Sequence, residues 1–217
     1  MIKGAIFDMD GLMFDSERLV YEIWQEMMDE QGFEYNLDIF KKTIGLRTDR
    51  AEQFYSELYG ERFCYKPLKL RSRETFLKRI EKDGVPVKKG LYEILDFLKD
   101  NGIKTAVATS TSAQTALTLI KKAGVYDKFD SFVCGDDVKN GKPDPEVFLT
   151  AAQRINISPL QCAAFEDSIN GIKSAHAAKM QTIMVPDLLP PTDEIKPMLS
   201  FLCTDLSLAV QFLQSQI

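Results

Sequence analysis

Two carboxylates stand two residues apart in Asp8-Met9-Asp10-Gly11, directly after the apolar run Ile2 to Phe7. Like charges about 4 Å apart repel by roughly 4 kcal/mol at an effective dielectric near 20, and a cation would relieve that. The turn is not an EF-hand loop. Such a loop wants Gly at its sixth position and Glu at its twelfth, where this chain has Met13 and Leu19. Other apolar runs end in reactive groups too. Thr109-Ser110 is a hydroxyl pair, and Glu166-Asp167-Ser168 is a second acid pair. Gly141-Lys142-Pro143-Asp144-Pro145 sets a lysine just before a helix start, and Pro143 excludes a Walker loop, which needs Ser or Thr there. Acids, hydroxyls and a lysine at one edge of a sheet would hold a cation and a charged ligand together.

The elements that must position these groups are legible as short apolar runs with helix-period segments between them. Ile2 to Phe7, Thr105 to Ala108, Ser131 to Cys134, Gln161 to Phe165 and Thr182 to Val185 read as strands buried on both faces. Leu91, Ile94, Leu95 and Leu98 form one helical stripe, and Ala116, Leu119 and Ile120 belong to another. Asp144 as a cap and Pro145 at the first helical position open a third helix. Ser200 to Cys203 and Leu206 to Leu213 add a final strand and helix. The pattern predicts an α/β fold, a Rossmann-like doubly wound parallel sheet. In such a sheet ligands bind beyond the carboxyl ends of the strands, where all four groups fall. Residues 16–83 break the rhythm. They hold no convincing strand, and Leu19, Ile23 and Met27 recur at helical spacing. The expected organisation is a core of residues 1–15 and 84–217 with a helical insert over 16–83.

Composition excludes several classes. Twenty-seven basic against 32 acidic residues leave a net charge of −5, so no affinity for a nucleic-acid backbone is expected. No apolar run approaches the roughly 18 residues of a membrane span, and the first residues lack the pattern of a signal peptide. The expectation is a cytoplasmic protein, with nothing demanding more than a monomer. The four cysteines form no C-x-x-C pair and read as reduced thiols. His176 is the only histidine and lies nine residues past Asp167, which removes a histidine-based triad or zinc cluster.

The strings FDMDGLMFDSE, GKPDPEVF and FEDSINGI resemble the haloacid dehalogenase superfamily, in its phosphatase and phosphomutase branch with a small helical cap. The likeness covers nearly the whole chain. It implies that Asp8 is the nucleophile of phosphoryl transfer and Asp10 the general acid and base. Thr109 would donate a hydrogen bond to the phosphoryl group, and Ser110 would offer its backbone N–H. Lys142 would neutralise charge and orient Asp8. Magnesium would bind Asp8, the backbone carbonyl of Asp10, and Asp167, with Glu166 bound directly or through water. The loop bearing Gly45, Arg47 and Thr48 occupies the place where related caps read the substrate. Dehalogenation does not need a second acid at position 10, so Asp10 argues for phosphate chemistry. Receiver domains also surround a phosphorylated Asp with acids, Thr and Lys, but they place that Asp on a later strand and carry no insert.

Within the branch the chain resembles both β-phosphoglucomutases and small-metabolite phosphatases. The mutases place a cap histidine where this chain has Val20, and an arginine for a second phosphate near Thr48, where Arg47 is adjacent. The absent histidine weakens the mutase reading, and the strings FDMDGL, ATS, GKPDP and MVPD are also similar to pseudouridine-5′-phosphate and sugar-phosphate phosphatases, so the expectation is a magnesium-dependent phosphatase of a small phosphorylated metabolite, a sugar phosphate or nucleotide-like monophosphate. A phosphohexomutase is the alternative.

Overall fold

The computed structural model of the chain describes residues 1–46 and 48–216. Strand β1 (Gly4–Phe7) is followed by helices α1 (Ser16–Glu30), α2 (Leu37–Lys41), α3 (Thr48–Tyr59) and α4 (Tyr65–Asp83). Strands and helices then alternate: α5 (Leu91–Asp100), β2 (Lys104–Ala108), α6 (Ala113–Lys122), β3 (Ser131–Val133), α7 (Glu146–Arg154), β4 (Cys162–Glu166), α8 (Ile169–Ala177) and β5 (Gln181–Met184). The chain closes with β6 (Phe201–Leu202) and α9 (Leu206–Gln214). Two compact units result: Met1–Asp15 with the chain from Val85 onward, and Ser16–Gly84.

The first unit is an α/β fold around one parallel sheet of order β3-β2-β1-β4-β5-β6. Strands β1 and β4 are buried along their whole length, as apolar runs covered on both faces must be. Phe7 pairs in register with Val107 on one side and Phe165 on the other. The Phe7 and Phe165 rings stack at 4.5 Å. This register delivers the next residues, Asp8, Ala108 and Glu166, to one level. Because β2 and β4 lie on opposite sides of β1, the chain order reverses there, and the crevice for a ligand opens at that point.

The helices cover the sheet through their expected stripes. Leu91, Ile94, Leu95 and Leu98 of α5 are buried, as are Ala116, Leu119 and Ile120 of α6. Helix α7 starts one residue later than the cap pattern predicts, with Pro145 in the cap position. The Asp144 side chain accepts the Glu146 N–H at 3.0 Å, so it closes a tight turn just ahead of the helix. Cys134 lies just beyond β3, not within it. All four cysteines are free thiols, and Cys64 is exposed. His176 is exposed on the last turn of α8.

The second unit is built of α1–α4 and holds no strand among its described residues. Its α1 buries Ile23, Trp24, Met27 and Met28. Aromatic rings fill most of its small core. Trp24 stacks on Tyr55 at 5.5 Å and on Tyr65 at 5.7 Å. The Tyr55 hydroxyl is 3.1 Å from both the Tyr35 and Thr43 hydroxyls, which satisfies a polar group that would be costly to bury alone.

Where the first unit leaves and re-enters the sheet, its two passages pair. Phe14 is buried and bridges Val87 in antiparallel sense. Asp15 N–H donates to the Pro86 carbonyl at 2.8 Å, and Lys88 N–H to the Met13 carbonyl at 2.9 Å. The Lys88 ammonium lies 2.7 Å from Asp187 Oδ1, on a carboxylate only 2% exposed.

Candidate active site

Beyond the carboxyl ends of β1, β2 and β4, Lys142 sits at the centre of an ionic cluster. Its ammonium donates to Asp8 Oδ1, to Glu166 Oε1 at 2.5 Å and to the Ala108 carbonyl at 3.0 Å. It also lies 5.0 Å from the centre of the Phe148 ring. Asp8 and the Lys142 side chain are nearly buried, and Glu166 is fully so. Burial pushes the Asp8 carboxyl up to about 8; Lys142 opposes this, while the charges of Glu166 and Asp10 add to it. Burial also disfavours the Lys142 charge, but Asp8 and Glu166 outweigh that and hold the ammonium above its usual range.

Glu166 is held from two sides. Its Oε2 accepts from the backbone of Asp167 at 3.0 Å, the backbone of Ser168 at 3.0 Å and the Ser168 hydroxyl at 2.9 Å. That oxygen is saturated, so only Oε1 retains a lone pair. The Ser168 hydroxyl in turn caps α8 by accepting the Gly171 N–H at 3.1 Å. Ligand atoms of Asp8, Glu166 and Asp167 all lie within 4.8 Å of one another. This all-oxygen, net-negative donor set fits a hard cation. Gly11 makes the arrangement possible. With φ at +79°, it would place any Cβ 2.2 Å from Asp167 Oδ2, so the Asp167 carboxylate lies in space a side chain would fill.

The loop after β2 supplies the hydroxyls. Thr109 is buried, and its backbone N–H donates to Val133 at 3.0 Å. Ser110 is exposed. The Thr111 N–H donates to the Thr109 hydroxyl oxygen at 3.0 Å, and the Thr111 hydroxyl donates to Asp10 Oδ2 at 2.6 Å. Asp10 itself bridges Phe14 through the backbone. Thr111 joins two expected site residues, yet its position two residues after Thr109 carries no sequence signal. Glu146 was missed in the same way. Its carboxylate accepts the N–H groups of Lys139 and Asn140, each at 2.9 Å, and so holds the loop that carries Lys142.

The structure thus gathers Asp8, Lys142, Glu166 and Asp167, and ties Asp10 to Thr109 through Thr111. Gly45 and Thr48 belong to the helical unit. Gly45 is exposed with φ +73°, and Thr48 opens α3 with its hydroxyl accepting from Lys69 at 2.6 Å. Arg47 lies outside the described residues.

An α/β enzyme with an acidic, lysine-braced crevice at the switch point of its sheet is the class that fold and site define. The haloacid dehalogenase-like hydrolase family model matches residues 5–185. The chain belongs to that family and is an enzyme of it. It is 36% identical over 193 residues to the protein of Bacillus subtilis (strain 168) named "Putative phosphatase YhcW", covering 88% of this chain and 87% of that one. It is 33% identical over 182 residues to the phosphorylated carbohydrates phosphatase of Thermotoga maritima, covering 84% of each. A Thermotoga maritima structure solved under the name "putative beta-phosphoglucomutase" superposes with a TM-score of 0.82 at 28% identity over 100% of both chains. Among the described residues no helix is long and apolar enough to cross a membrane.

Proposed function

We propose that the protein is a magnesium-dependent phosphatase of small phosphorylated metabolites, sugar phosphates foremost. The observation that carries this reading is the convergence of Asp8, Lys142, Glu166 and Asp167 at the end of β1, with Asp10 two residues on. Two relatives at 33% and 36% identity carry phosphatase names, one of them for phosphorylated carbohydrates.

In the proposed reaction an Asp8 oxygen attacks phosphorus as the bond to the ester oxygen breaks. Asp10 gives its proton to the departing oxygen, which leaves as an alcohol. The Asp10 carboxylate then takes a proton from water, and the water oxygen attacks phosphorus. The bond between Asp8 and phosphorus breaks, inorganic phosphate leaves, and Asp10 is again protonated. Lys142 holds Asp8 in line and offsets charge on the phosphoryl oxygens, and Thr109 donates to one of them. Bound magnesium would lower the repulsion between Asp8 and the phosphoryl group. Asp8, Asp167 and the Asp10 carbonyl would hold it, together with Glu166 directly or through water.

The alternative, a phosphohexomutase, is favoured by the fold match at 28% identity to the structure named β-phosphoglucomutase. One experiment separates the two. Phosphate release is measured with fructose 1-phosphate, β-glucose 1-phosphate, a hexitol phosphate and pseudouridine 5′-phosphate, with magnesium or with chelator, and with Asp8→Asn as control. Magnesium-dependent release lost in the variant is expected. Glucose 6-phosphate formed from β-glucose 1-phosphate and a bisphosphate primer, without phosphate release, would instead establish the mutase.

A further inference from the structure

We infer that Thr111 is a positioning residue for the proton carried by Asp10. The inference rests on the acid and base role proposed for Asp10. Three observations carry it. The Thr111 hydroxyl donates to Asp10 Oδ2 at 2.6 Å, across 101 residues of sequence. Thr111 is also fixed at both ends of its peptide, because its N–H donates to the Thr109 hydroxyl oxygen at 3.0 Å and its carbonyl accepts the Gly135 N–H at 2.9 Å. Its neighbour in the loop, Thr109, is anchored to β3 through Val133. The hydroxyl is therefore delivered by a braced loop, and a threonine rotamer is confined further by its branched Cβ.

A carboxyl group that accepts a hydrogen bond on Oδ2 carries its transferable proton on Oδ1. Thr111 thereby assigns the transferable proton to the other oxygen and limits rotation of the carboxyl group. The same backbone chain makes the Thr109 oxygen an acceptor from Thr111, so the Thr109 proton is turned away from Thr111 and toward an acceptor such as the phosphoryl group. One residue thus sets the direction of two proton donors, at the leaving oxygen and at the phosphoryl oxygen.

The leaving group provides the test. An alkyl phosphate expels an alkoxide and needs the Asp10 proton. A p-nitrophenyl phosphate expels a stable phenolate and scarcely needs it. The ratio kcat/KM reports the first chemical step alone and so isolates the acid role. In Thr111→Val, kcat/KM for the fastest sugar phosphate of the panel should fall about 10- to 100-fold, the range of one hydrogen bond to a charged group. For p-nitrophenyl phosphate it should change less than about threefold. Thr111→Ser, which keeps the hydroxyl, should restore the sugar phosphate rate to within about threefold of the parent. Equal losses on both substrates, or no rescue by serine, would overturn the positioning role and leave a merely structural one. Asp10→Asn run beside these keeps the two claims apart. If it shows the leaving-group-dependent loss and Thr111→Val does not, the Thr111 inference alone fails. If Asp10→Asn matches the parent on the sugar phosphate, the acid role fails and the inference falls with it.

Discussion

Gly171→Ala should weaken this protein, although the same exchange inside a helix normally adds stability, by about 1 kcal/mol. Gly171 lies in the first turn of α8, and a Cβ there would stand 1.8 Å from the Glu166 carboxyl carbon. Ordinary carbon contacts are about 3.5–4.0 Å, so the carboxyl group would have to retreat by roughly 2 Å. Its bonds to Asp167, Ser168 and Lys142, now between 2.5 and 3.0 Å, do not survive such a shift. Hydrogen bonds to a charged group are worth about 1.5–3 kcal/mol each. Losing two of them, less the helical gain, gives a net cost of about 2–5 kcal/mol. For a chain of this length that lowers Tm by roughly 4–20 °C. Turnover should fall more than about tenfold, because Lys142 loses the partner that fixes it against Asp8. Urea unfolding followed by circular dichroism gives the stability, and phosphate release gives the rate. The Glu166→Ala background is the control: with no carboxylate to strike, Gly171→Ala should be neutral or stabilising. Equal cost in both backgrounds, or a stable and fully active Gly171→Ala, would refute the reasoning.

Removing Lys142 as Lys142→Met should cost about 3–5 kcal/mol and abolish phosphate release, because it leaves Glu166 buried without its counter-charge; a variant of parental stability by urea unfolding would contradict this. Asp8 makes stability depend on pH. Its folded pKa of about 8 lies above the ordinary 3.8, so the folded state binds the extra proton between those values. The associated stability is full below about pH 4 and is lost as pH rises through about 8. Urea midpoints in chelator should therefore decline across that window in the parent and stay flatter in Asp8→Asn; parallel profiles would count against it. Added magnesium should raise the parent's midpoint at pH 8 more than that of Asp8→Asn. Lys88→Met should destabilise by about 3 kcal/mol because Asp187 is left buried and unpaired, and Asp187→Leu added to it should recover most of the loss, as a double-mutant cycle would show.

The sheet was legible because its strands are buried on both faces and so appear as unbroken apolar runs. The stripe of Leu91, Ile94, Leu95 and Leu98 was equally plain, since one helical face meets the sheet. Helix α7 misled by one residue because an Asp before Pro can cap a helix or close a turn, and only tertiary packing decides. Among the candidate site residues, Asp8 and Thr109 directly follow a strand and Glu166 ends one, and they stand out because a polar group halting an apolar run is itself a signal. Lys142 was legible through its motif. Thr111, Glu146 and Gly171 were not, since each acts on a group brought close by the fold or on a loop whose path is not encoded in spacing. A hydroxyl two residues after another hydroxyl looks the same whether it faces water or a carboxylate.

The paired passages at Phe14 and Val87 have an evolutionary meaning. With Asp15 and Pro86 already hydrogen-bonded, the sheet unit closes there much as it would around a short hairpin turn. Whatever is threaded between those two residues needs only to begin and end side by side. A helical module of another size, or none, could be spliced at the same point without altering a strand register or the reach of Asp8. The sheet unit therefore closes on its own hydrogen bonds, like a clasp that does not depend on what is strung between its ends.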